Sequence, residues 1–99
     1  MEAPGAGDAV VWAQSASLAQ VPSEGRVAMI DLDRPADPPM VLEGTAAAIW
    51  AAIDGERTLA GVVAVVAEAY GLPAEQVRGD VAAFVADLAE RGLVRQSGA

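Results

Sequence analysis

Few side chains in this chain are equipped to do chemistry. Ser15, Ser17, Ser23, Thr45, Thr58 and Ser97 carry hydroxyls, but a hydroxyl needs a base to make it a nucleophile. There is no histidine and no lysine, and all six basic residues are arginines, which stay protonated in proteins. There is no cysteine either, which removes thiolate nucleophiles, disulfides and thiolate metal sites. The joint absence of Cys and His excludes the usual zinc ligand sets. Asp31, Asp33 and Asp37 are close enough in sequence to gather a hard cation, but they lack the glycine and distal glutamate of an EF-hand loop. Solvated acids on a strand and its turn are the plainer reading. Asp80, Asp87 and Glu90 read as the solvated side of a helix. Gly55, Gly61 and Gly71 are too scattered to cradle a phosphate. The expectation is a protein without catalytic residues, metal or cofactor.

What remains is the scaffold. Residues 1–8, with a proline and two glycines, read as a flexible N-terminal tail. Ala9 to Ala13 is a short apolar run ending beside Trp12, either a strand or an arm that packs the indole on a sheet. Ser17 to Val21 alternates as a half-buried strand does. A Pro22-Ser23-Glu24-Gly25 turn follows, then Arg26 to Asp33, the clearest strand signal. Ala28, Ile30 and Leu32 form its uniformly apolar face, and that face is expected on the core. Three prolines in Arg34 to Pro39 enforce a loop. Met40 to Leu42 reads as a third strand with an open edge, completing an antiparallel meander. That edge could be met by a second copy or by the chain's own Ala9–Ala13 arm.

Three helical segments follow, each closed by a glycine. The first starts at Glu43-Gly44-Thr45, with Glu43 or Thr45 as cap, and buries Ala46, Ile49, Trp50 and Ile53. The second starts at Glu56 or Thr58, buries Leu59, Val62, Val63, Val66, Ala67 and Tyr70, and stops at Gly71. The third runs from about Ala74 to Arg91 on a stripe of Val77, Val81, Phe84 and Leu88, and stops at Gly92. Leu93-Val94 returns to the core and 95–99 reads as a C-terminal tail. Strands then helices with short connections give an α+β domain of winged-helix-like type over residues 9–94. Ninety-nine residues allow a single core, and alanine supplies much of the 54% hydrophobic content.

The formal net charge is −8, which disfavours nucleic acid and anionic membranes as partners. The N-terminus lacks the basic and apolar regions of a signal peptide. No apolar run approaches the roughly 20 residues a bilayer-spanning helix needs. A cytoplasmic protein is expected. The third helix has one acidic flank (Asp80, Asp87, Arg91) and one of small apolar residues with an arginine (Arg78, Ala82, Val85, Ala89). Val85 stands about 40° from Val81 at 100° per residue, at the rim of the buried stripe. This second flank is expected to wall a groove, or simply to pack on the first helix or the sheet.

Within Val41–Val94 a strand runs into Thr45-Ala46 and Ile49-Trp50, followed by Asp54-Gly55, Thr58-Leu59 and Tyr70-Gly71. Asp80-Val81, Phe84, Leu88 and Gly92-Leu93-Val94 complete the set. With these features in this order, the stretch resembles the PqqD-like family of recognition elements for ribosomally made, modified peptides. Glu43 and Gly44 depart from the asparagine-like residue usual after the third strand, which bears on the helix cap. The resemblance implies a winged-helix-like fold of three strands and three helices. It implies that the chain binds the leader segment of a precursor peptide and presents it to a modifying enzyme or leader peptidase. It also implies that the leader adds as a strand to the third strand, beside the third helix. With the flank chosen above, the peptide-binding residues are Met40, Val41, Leu42, Arg78, Val81, Ala82 and Val85, with Arg78 meeting an acidic leader residue. Asp80 and Asp87 would meet basic ones if the other flank is used. Two rival classes are a structural adaptor subunit of a biosynthetic complex and a winged-helix DNA-binding protein. The net negative third helix speaks against the latter.

Overall fold

The computed structural model describes residues 9–97; the expected tail over 1–8 lies outside them. Among the described residues, five strands and three helices follow in the order β1 (Val11–Gln14), β2 (Leu18–Ser23), β3 (Arg26–Asp31), β4 (Met40–Glu43), α1 (Thr45–Ala52), α2 (Leu59–Tyr70), α3 (Ala74–Glu90) and β5 (Val94–Ser97). β2, β3 and β4 form an antiparallel meander. The three helices cover one face of it. The fold is α+β, as the segment order requires.

A second, two-stranded sheet joins the chain ends. β1 pairs antiparallel with β5, Trp12 opposite Gln96 and Gln14 opposite Val94. Residues 95–97 therefore form strand, where a tail was expected. The Ala9–Ala13 run pairs with this C-terminal strand and not with β4. Val94 returns buried to the core, and the strand it starts is too short for periodicity to reveal.

The helices follow their local signals closely. Thr58 caps α2 with its hydroxyl on the Gly61 N–H, and Gly71 closes it at φ 65°, ψ 33°, a left-handed position that glycine takes without strain. α1 differs from expectation. Its N-cap is Gly44, with no side-chain cap, so neither Glu43 nor Thr45 serves. The core gathers Val27, Met29 and Leu42 from the sheet with Ile49, Trp50 and Ile53, Val62, Val63 and Val66, and Val77, Val81, Val85 and Leu88 from the helices. Tyr70, expected in it, is exposed.

Two expectations about the sheet are reversed. The core face of β3 is Val27 and Met29, while Ile30 and Leu32 are 39% and 62% exposed. Asp31 made the inner face look unsuitable, but it lies at the strand's end. There its carboxylate accepts from the Ser17 hydroxyl and the Asp33 N–H, both at 2.9 Å. The deciding partners are across the sheet: Val27 faces Leu42 and Met29 faces Met40, and such pairs are not visible within one strand. β2 is not half-buried: only Leu18 packs against the core.

Candidate functional site: an open strand edge and its clefts

β4 has a partner on one side only, β3, because it ends the order β2-β3-β4. The backbone groups it leaves open follow from the ladder. The Gly44 N–H donates to the Gly25 carbonyl at 3.1 Å, so Gly25 and Gly44 are a bonded pair. Bonded and non-bonded pairs alternate in an antiparallel ladder. Val27·Leu42 and Met29·Met40 are therefore bonded pairs, and the N–H and C=O of Val41 and Glu43 point away from β3. The opposite edge is different. The Leu32 N–H donates to the Ser17 carbonyl, and the same alternation directs the backbone of Leu18, Gln20 and Pro22 outward. Pro22 has no N–H to offer, the usual way of blunting an edge. Of the meander's two edges, β4 is the one with its donors intact.

A cleft of about 270 Å³ opens where β4 begins. Met29, Met40 and Leu93 give it an apolar lining; Arg34 and Arg91, with Asp31 and Asp37, add charge of both signs. It lies between the start of β4, the proline loop and the C-terminal end of α3. Arg91 carries an exposed pair to Asp87, Nε to Oδ2 at 3.1 Å, worth little in stability because both groups are solvated.

The sequence-expected residues divide. Met40 and Val41 are on the edge strand and at least partly exposed; Leu42 is buried under it. Val81 and Val85 are buried, Val85 at 2% exposure. Val85 thus belongs to the core stripe, and Phe84, expected in that stripe, is the half-buried one. The stripe of Val77, Val81, Val85 and Leu88 is centred close to Val81, which puts Val85 inside it. Ala82 is half-buried against the core and Arg78 is exposed. From the C-terminal end of α3 it is the C-cap residue, Arg91, that reaches the Met40 cleft. On the wheel Arg91 is about 80° from Val81 on the side opposite Arg78, and Phe84 is about 60° on that same side. The cleft therefore adjoins the Phe84, Asp87 and Arg91 flank. Sequence periodicity defines both flanks equally well, and only the packing of α3 on the sheet chooses between them.

A second cleft, of about 410 Å³, lies beneath the overhanging β2–β3 hairpin along α1. Trp50 floors it. The indole N–H donates to Gln20, Gln20 donates to Gln14, and Gln14 returns a bond to the Trp50 carbonyl, each at 2.8–2.9 Å. Nothing in the periodicity of α1 distinguishes Trp50 from its core neighbours. No group of three or more acids that could hold a metal exists among the described residues, and no described helix is long and apolar enough to cross a membrane.

Residues 29–94 match the family described as Coenzyme PQQ synthesis protein D (PqqD). The chain belongs to the PqqD family. The match begins in β3 and ends at the first residue of β5, so it contains β4, its open edge and all of α3. The PqqA binding protein of Rhizobium meliloti (strain 1021) is 32% identical over 85 residues, which are 86% of this chain and 83% of that protein. A solved structure, TbiB1 in complex with the TbiA(beta) leader peptide, superposes with a TM-score of 0.75. That superposition covers 88% of this chain and 99% of the other at 16% identity, a likeness of fold.

Proposed function

We propose that this PqqD-family chain binds the leader segment of a ribosomally synthesised precursor peptide and presents it to the enzyme that modifies or cleaves that precursor. The leader adds as a strand to β4, its backbone bonded to Val41 and Glu43, with side chains toward α3 resting on Phe84 and Arg91. The cleft at Met40 takes the side chain at one end. Of the residues expected from the sequence, Met40 and Val41 keep their place in this site. Leu42, Val81 and Val85 support it from the core. Arg78 and Ala82 lie on the opposite flank.

The observation that carries this reading is the β4 edge: paired on one side, free of proline, and bordered by a cleft whose far wall is α3. Strand addition draws affinity from backbone bonds and selectivity from side-chain pockets. It asks for no nucleophile, base or metal, which suits a chain with neither His, Lys nor Cys. The relative named for PqqA binding and the leader-bound neighbour of the same fold support the same role. We read the protein as non-catalytic and as working in the cytoplasm, where such precursors are made.

The test is a titration of a fluorescently labelled leader peptide, from the precursor encoded with this chain, followed by anisotropy. Saturable binding by the leader and none by a scrambled peptide of equal composition is the expected result. Equal binding of the two would remove the reading.

A further inference from the structure

The face of the meander turned away from the helices is apolar and uncovered. Val21, Ala28 and Val41 lie side by side across its three strands, and Ala19 and Ile30 form the next row. Val21 is 69% exposed and Val41 45%. At one end Arg26 and Glu43 stand opposite each other, 4.0 Å apart, so the face carries no net charge on a chain of −8. Charge therefore leaves this face open to a protein partner while the acidic loops and helix flanks repel anionic ones.

Its size says what sort of partner. Three strands at about 4.8 Å spacing and four to six residues at about 3.3 Å give a face of roughly 190–290 Å². A standard interface takes about 800 Å² from each partner. The face is too small to hold any folded partner by itself, a second copy or an enzyme, so a partner seated here must also touch what borders it. It is also continuous with the edge proposed above for the leader. A strand added to β4 widens the sheet by about a third, and alternate peptide side chains then stand beside Val41 on this same face.

Resting on the leader-binding reading, we infer that the outer face of the meander, widened by the bound leader, is the docking surface for the enzyme that acts on the peptide. Part of what the enzyme touches is peptide, so it distinguishes the loaded element from the empty one. By linkage, the leader strengthens enzyme docking by the same factor as the enzyme strengthens leader binding.

The experiment uses the full chain, the labelled leader and the modifying enzyme encoded with that precursor. In the wild type, saturating enzyme tightens leader binding by about fivefold or more, the lower end of ordinary coupling. Val21→Glu, and separately Ile30→Glu, place a carboxylate on exposed positions of the outer face. Both leave leader binding by the chain alone unchanged and abolish the tightening. Tightening that survives in both variants overturns the inference, as does enzyme binding that is equally strong without leader. A wild-type dimer in light scattering that Val21→Glu dissolves would assign the face to a second copy and overturn it too. Failure of the wild type to bind leader at all is a different result, and removes the parent reading.

Discussion

Replacing Val41 with proline isolates the β4 edge from everything else in the fold. The Val41 N–H points away from β3, so its loss takes no bond from the internal ladder. Edge strands accept proline where the N–H faces solvent, and the preceding residue, Met40, is already in a strand, the conformation a following proline favours. The side chain is 45% exposed, so little core packing changes. A leader strand would lose one backbone bond, worth about 1 kcal/mol. The carbonyl that accepted it would face the ring instead, at a further cost of about 1–2 kcal/mol. The sum, about 2–3 kcal/mol, is a loss of roughly 30- to 150-fold in affinity. Anisotropy titration of the labelled leader reads it, with circular dichroism and thermal melting confirming the fold. Val41→Thr keeps the N–H and should stay within about threefold of wild type. A folded Val41→Pro protein with wild-type affinity would refute strand addition at β4.

Arg91→Ala should weaken leader binding by about 1 kcal/mol, roughly fivefold, with little change in melting temperature because its pair with Asp87 is exposed; Arg78→Ala should change binding less, and the reverse order in the same titration would restore the opposite flank. Val85→Ala should lower unfolding stability by about 2–3 kcal/mol in urea while folded molecules bind leader normally, and Val85→Glu should fail to fold because it buries an unpaired carboxylate. Asp54 accepts the backbone N–H groups of Arg57 and Glu56 and pairs with Arg57, which holds its carboxyl below the ordinary carboxylate value. A depressed folded-state value means stabilisation that is present above the unfolded value and lost as pH falls through the folded one. Asp54→Asn should therefore melt lower than wild type at neutral pH, with the gap closing below about pH 4.

The helices were legible because their signals are local. Thr58, Gly71 and Gly92 mark ends, and apolar spacing marks the stripes of α2 and α3. The β4 edge was legible because three prolines fix the loop before it and the α1 glycine fixes its end. What escaped depends on contacts distant in sequence. The inner face of β3 is chosen by Leu42 and Met40. The strand at 94–97 exists because β1, some eighty residues away in the chain, lies beside it. Val85 and Phe84 exchanged roles because adjacent stripe-edge positions differ by a rotation of the helix that only its packing settles. The Arg34 and Arg91 cleft joins a loop to a helix end, and no spacing rule connects them.

Amide hydrogen exchange with and without leader tests the central claim most directly. In the free chain the Val41 and Glu43 N–H groups lack ladder partners and should exchange fast, while Met40 and Leu42, bonded to β3, exchange slowly. Leader at saturation should protect Val41 and Glu43 and leave the β2 edge unchanged. Saturated leader with Val41 and Glu43 still exchanging freely, or with new protection confined to β2 or the Trp50 cleft, would contradict the account.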